Sequence, residues 1–139
     1  MCLKMKTILG LVLALAPASA FAWEYELERG VDLYSATDGV TAVRLVCDPN
    51  NVYGGTPETA VLVRLGGTDD ATADATFRFA DNVSVTGPMV HGRISKAHVA
   101  AEVWNDLMAG FRSNETVEVT VGTRTENVTL GEPMPFTCT

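Results

Sequence analysis

Apolar and polar residues alternate along most of the chain after residue 22, which is the pattern of half-buried β-strands. In Trp23–Glu28 the apolar residues take alternate positions and three glutamates take the others. Turn-forming residues separate such runs: Thr37-Asp38-Gly39 predicts a hairpin, and Thr86-Gly87-Pro88 predicts a tight turn. Short alternating strands between turns are typical of a sandwich or barrel. The other runs with a two-residue period are 41–47, 61–65, 77–79, 82–86, 89–94, 116–123 and 127–130.

One segment has the period of a helix instead. Most polar residues of this segment, such as Asn105, lie on one side of the predicted helix, and a row of apolar residues lies on the other. Ser95 precedes the segment as a candidate N-cap. The row recurs every four residues and consists of Val99, Val103, Leu107 and Phe111. We therefore expect one amphipathic helix over about 96–112, packed on a sheet. The fold class predicted is a mainly β protein, a single antiparallel β-sandwich or flattened barrel of about seven to nine strands.

The first 22 residues have the organisation of a secretory signal peptide. Lys4 and Lys6 give a positive start, residues 8–16 form an apolar stretch too short to span a bilayer, and Ala20-Phe21-Ala22 offers a cleavage site. Export to the bacterial periplasm or beyond the cell follows, with residues 23–139 as one β-sandwich domain. No later stretch reaches the apolar length of a membrane span, so we expect no membrane insertion after cleavage.

The charge balance is acidic and becomes more so after cleavage. The whole chain carries a formal charge of −7, and loss of Lys4 and Lys6 makes it −9. Such a balance opposes binding to nucleic acid or anionic lipid, which requires a basic face.

Two cysteines, Cys47 and Cys138, remain after residue 22. In an oxidising exported compartment they predict a single disulfide, which would close a loop of 90 residues. A redox role is disfavoured because the pair is not a C-x-x-C motif.

No motif for catalysis or for metal binding is present in the sequence. His91 and His98 fall on different predicted elements and lack zinc-site spacing. The acidic loop 68–74, with Asp69, Asp70 and Asp74, lacks the spacing of a calcium loop and favours a solvated surface. We therefore expect no catalytic residue, no metal and no cofactor, and we do not expect an enzyme.

Arginines interrupt several of the apolar runs and should project from the side of each strand that faces away from the core. On neighbouring strands they would form a basic stripe able to grip an anionic group bidentately. The alternative is cross-strand pairing with Glu24, Glu26 or Glu28. The residues of the possible ligand face are Arg44, Arg64 and Arg78, and Arg93 shares their pattern.

The order of features along the chain also suggests a family. A leading tryptophan precedes Leu45-Val46-Cys47, Trp104-x-x-Leu107-x-x-Gly110 leads into Val117-x-Val119-x-Val121, and a cysteine ends the domain. This arrangement resembles the small exported bacterial β-sandwich proteins of the invasion-associated locus B type. The resemblance implies a binding or accessory role and supplies no functional residue.

The function predicted from these features is that of a non-catalytic exported accessory protein that binds a protein or another envelope component. An alternative is inhibition of a secreted hydrolase, such as a protease or lysozyme, through rigid loops. A small hydrolase is the competing class, and it would require a pocket that gathers titratable groups.

Overall fold

A computed structural model describes residues 23–48 and 59–132, together with the single residues Ala14 and Cys138. Apart from Ala14, the predicted signal peptide lies outside the described residues. The described strands are β1 Trp23–Glu28, β2 Val31–Asp38, β3 Thr41–Cys47, β4 Ala60–Arg64, β5 Ala73–Phe79, β6 Ser84–Met89, β7 Arg93–Ser95, β8 Thr116–Val121 and β9 Arg124–Thr129. One α-helix, α1, spans Ala101–Ser113.

The strands form two antiparallel sheets that pack face to face. The five-stranded sheet has the order β1-β2-β3-β4-β7, and the four-stranded sheet has the order β6-β5-β8-β9. Their alternating apolar residues meet in one core, which includes Leu45, Val61, Phe77 and Val119. The sheets do not close into a barrel, and the predicted mainly β sandwich is confirmed.

Hairpin turns set the register of the five-stranded sheet at its edge. Arg29 and Gly30 both have positive φ angles, of 50° and 83°, and join β1 to β2 in two residues. Paired positive φ angles match the twist of the flanking strands. The predicted hairpin at Thr37-Asp38-Gly39 is also confirmed, because Gly39 and Val40 form the turn between β2 and β3.

The predicted turn at Thr86-Gly87-Pro88 is wrong. These residues lie within the continuous strand β6, and the chain reverses later, at His91 and Gly92. Proline is tolerated there because β6 is an edge strand, where a missing backbone N–H removes no ladder bond. Gly87 is buried, and a Cβ on it would touch Ile94 and Val103.

The helix begins five residues later than the predicted range 96–112. Residues 96–98 form a 3₁₀ turn, and Val99 and Ala100 have extended backbones, so Ala100 precedes the helix instead of Ser95. The cause is sheet pairing: Ser95 lies opposite Ala60, and the backbone N–H of Lys96 donates to the Thr59 carbonyl at 3.0 Å.

The apolar row of the helix packs into the core as expected. Leu107 and Phe111 are fully buried, and Val103 is half-buried. The Phe111 ring contacts three aromatic rings edge-on, with centroid distances of 5.3 to 6.1 Å; they belong to Trp23, Phe77 and Phe79. This cluster anchors the helix to both sheets.

Cys47 and Cys138 form the predicted disulfide, with their Cα atoms 5.1 Å apart. The bond joins the end of β3 to the C-terminal end of the chain and is consistent with an oxidising, exported compartment. Among the described residues, none of the helices has the length and apolar content needed to traverse a bilayer.

Candidate ligand-binding face

Arg44 and Arg64 lie side by side on the outer face of the five-stranded sheet. Arg44 on β3 pairs with Leu62 on β4, and Arg64 follows Leu62 by two residues on the same face. This diagonal relationship places two side chains within reach of one ligand, since diagonal neighbours lie roughly 7–8 Å apart. The pattern of alternation correctly predicted that both would face away from the core.

Each of the two guanidinium groups is held by a neutral acceptor. Arg44 Nε donates to Ser35 Oγ at 3.0 Å, and Arg64 Nε donates to the Val40 carbonyl at 3.2 Å. Neither arginine forms an ion pair in the part of the chain that the structure describes. The Nε bonds restrict both side chains, and the terminal nitrogens form no hydrogen bond with the described residues.

Arg78 does not belong to this face, and its inclusion in the predicted ligand face is wrong. It lies on β5 in the other sheet, directly opposite Glu118 of β8. Arg78 Nη2 and Glu118 Oε2 are 3.0 Å apart. Strand alternation fixes which side of its own sheet an arginine occupies, but it does not determine which sheet the strand joins.

The predicted alternative, pairing with the glutamates of β1, fails for Arg44 and Arg64. Glu24 lies opposite Ser35, and Ser35 lies opposite Arg44, so Ser35 separates the two charges. Two strand spacings amount to about 9–10 Å between the backbones. Arg44 and Arg64 therefore have no carboxylate partner among the described residues, whereas Arg78 pairs with Glu118 on a neighbouring strand of the other sheet.

Arg93 on β7 extends the basic face by one strand. It lies opposite Leu62, so half-buried Leu62 has Arg44 on one side and Arg93 on the other. Arg93 already makes an interaction within the folded chain. Arg44 and Arg64 are therefore the two arginines on which a ligand site would depend.

A depression of about 260 Å³ lies over this part of the sheet. Arg44 and Arg64 form its cationic side, and Asp69 and His91 line the side formed by loops. The remaining lining residues are Ser35, Thr37, Ala42, Leu62, Val63 and Gly92.

Residues 68–72 of the predicted acidic loop form the acidic rim of this depression, with Asp69 lining it, whereas Ala73 and Asp74 of the predicted range belong to strand β5. Gly92 N donates to the Ala71 carbonyl at 2.8 Å, and His91 N donates to Thr72 Oγ1 at 3.1 Å, which docks the loop on the turn between β6 and β7. His91 Nδ1 and Asp70 Oδ1 lie 2.7 Å apart, and both side chains are exposed. Sequence reasoning missed this juxtaposition because the two segments lie about twenty residues apart and no motif links them.

Arg44 and Arg64 give the depression hydrogen-bond donors that suit an anionic group, and Asp69 lines the same depression. Two neighbouring guanidinium groups offer planar, bidentate donors that match a carboxylate or phosphate. Half-buried Leu62 adds an apolar floor beside them. Within the described ranges, no group of three or more His, Cys, Asp and Glu residues is placed to hold a metal ion.

No family model, curated protein or solved structure matches the chain. The resemblance to proteins of the invasion-associated locus B type therefore stays a prediction from the sequence.

Proposed function

We propose that this protein is a non-catalytic, exported binding protein whose outer face on β3 and β4 recognises a carboxylate-bearing protein or envelope component. The observation that carries the proposal is the pair Arg44 and Arg64. They are neighbouring cations on a protein with an excess of acidic residues, and neither is matched by a described carboxylate.

The arrangement of this pair favours a ligand-binding role over a purely structural one. A surface arginine that stabilises a sheet through charge pairs with a carboxylate across strands, as Arg78 does with Glu118, whereas the described acceptors of Arg44 and Arg64 are uncharged. Placing two guanidinium groups together without an anion costs repulsion, which a bound anion relieves. Their Nε bonds to Ser35 Oγ and the Val40 carbonyl reduce the conformational entropy that a ligand must freeze.

The acidic rim adds selectivity. Asp69 lines the same depression as the arginines, and Asp70 lies next to His91. A ligand with one carboxylate over the arginines avoids the aspartates, whereas a uniformly anionic polymer is repelled by them. Charges placed in this way fix the orientation of the partner and exclude ligands whose charges do not match.

Export and the family resemblance support the same role. The amino-terminal segment has the pattern of a signal peptide, and the disulfide suits an oxidising compartment. The family that the chain resembles implies binding or accessory proteins.

The test is affinity capture from the native cell envelope with the mature, oxidised protein. We expect one or a few partners to be retained at low salt and released as salt is raised. The double variant Arg44→Gln/Arg64→Gln should lose them, whereas the matched control Arg78→Gln should retain them. Equal retention by both variants would refute the proposal, as would a partner that is insensitive to salt.

A further inference from the structure

The edge strand β1 carries an apolar row that nothing in the described structure covers. Tyr25 and Leu27 point to the core side of the sheet, yet they are 53% and 62% exposed. The reason is the unequal width of the two sheets. β9, the last strand of the four-stranded sheet, contacts β2 and β3, so β1 extends beyond the opposing sheet.

The other face of β1 carries three negative charges, and no cation lies opposite them on β2. Glu24, Glu26 and Glu28 lie opposite the uncharged residues Ser35, Leu33 and Val31 of β2. These glutamates form no ion pair with any described residue, including Arg29 at the adjoining turn. A cation that matches them in register must therefore come from the open side of the strand.

The remaining sheet edges are protected in the ways that natural proteins use. β7 has three residues, and β6 contains Pro88, which cannot donate a ladder hydrogen bond. β9 has no large apolar side chain among the exposed ones. Among the described edge strands, β1 is therefore the one that is both long and lined by exposed apolar side chains.

One member of the exposed row, Tyr25, is also held in place. Tyr25 Oη donates to Asp32 Oδ1 at 2.8 Å, and its ring lies 5.2 Å from that of Tyr34. A side chain fixed in this way loses little conformational entropy when a partner covers it.

We infer that β1 binds an extended segment of a partner protein by strand addition, and that this segment alternates apolar residues with Lys or Arg. Its main chain would extend the five-stranded sheet. Its apolar side chains would cover Tyr25 and Leu27, and its basic side chains would lie against the three glutamates. A second copy of this chain does not fit, because pairing β1 with β1 would bring glutamates together. The inference is independent of the arginine face.

The test uses a short synthetic peptide in which lysine alternates with valine, titrated calorimetrically into the mature, oxidised protein. We expect binding by this peptide and none by its counterpart with glutamate in place of lysine. Methylation of one set of alternate backbone nitrogens should abolish binding, and methylation of the other set should leave it, because alternate N–H groups of a strand point to opposite sides. Equal binding of the glutamate peptide, or indifference to both methylation patterns, would overturn the inference.

Protein variants locate the site. Replacing the three glutamates of β1 with glutamine should weaken the lysine peptide by about tenfold. Leu27→Thr should weaken it as well, whereas the control Val83→Thr, at a residue 51% exposed elsewhere on the surface, should not. Arg44→Gln/Arg64→Gln should leave the affinity for the peptide unchanged. Analytical ultracentrifugation tests whether the edge is covered by a second copy. If the protein sediments as a dimer and Leu27→Thr makes it a monomer, the inference is overturned.

Discussion

The indole Nε1–H of Trp104 donates a hydrogen bond of 3.0 Å to the carbonyl oxygen of Cys138, and both residues are buried. Cys138 is bonded to Cys47 at the end of β3, so this contact joins the helix to the disulfide. The helix, the five-stranded sheet and the C-terminal end of the chain therefore meet at one point.

Trp104→Phe should destabilise the protein, because it leaves the buried Cys138 carbonyl without its donor. An unsatisfied buried acceptor costs about 1–3 kcal/mol, and the smaller ring adds a packing loss. Urea denaturation measures the change. In the background Cys47→Ser/Cys138→Ser, where the chain end is released, the same substitution should cost less. Equal costs in both backgrounds would show that the hydrogen bond and the disulfide act independently.

Leu107→Ala should lower the free energy of unfolding by about 2–5 kcal/mol, because Leu107 is fully buried between the helix and the sheets. Asn105→Ala, on the exposed side of the same helix, is the matched control and should have almost no effect. Denaturation midpoints of the two variants test how the helix docks. Small and equal shifts would contradict the packing described above.

Gly110→Ala should destabilise the protein even though alanine is favoured over glycine in a helix by about 1 kcal/mol. A Cβ at Gly110 would overlap the ring of buried Phe79. Thermal unfolding of the single variant, and of Gly110→Ala combined with Phe79→Leu, tests the cause. The smaller side chain should recover part of the loss. Stabilisation by Gly110→Ala alone would show that the ring and the helix are not in close contact.

The pKa of Tyr25 is raised above its ordinary value near 10, chiefly by the hydrogen bond to Asp32 and further by desolvation and the Asp32 charge. The folded protein therefore retains the phenol proton more strongly than the unfolded chain. This contribution to stability is present below pH 10 and is lost as the pH rises through the higher folded value. An absorbance titration of phenolate in a Tyr34→Phe/Tyr53→Phe background measures the pKa. Asp32→Ala should lower it, and an unchanged value would contradict the assigned cause.

Local pattern was sufficient to predict most of the fold. Strands with a strict two-residue period, such as β3 and β8, formed where alternation placed them. The disulfide followed from the presence of two cysteines in a domain that the sequence predicts to be exported. Two errors came from pairing between distant residues. Gly87 and Pro88 resemble a turn but lie in an edge strand, and Ser95 resembles a helix cap but pairs with Ala60.

The candidate site was predictable only in part for the same reason. Alternation placed Arg44 and Arg64 on an outer face, but it could not reveal that Arg78 joins the other sheet beside Glu118. The docking of the acidic loop against His91 depends on backbone hydrogen bonds that have no signature in the sequence.

The central claim is that Arg44 and Arg64 form a carboxylate-binding face, and it does not require the natural partner to be known. The most direct measurement is an NMR titration of the mature, oxidised protein with a small dicarboxylate, following the arginine Nε–H signals and the Ser35 amide. We predict saturating shifts at Arg44, Arg64 and Ser35 that disappear at high salt, with little change at Arg78, whose guanidinium is occupied by Glu118. Shifts at Arg78 as large as those at Arg44 and Arg64, or no saturable shift at either of these two, would contradict it.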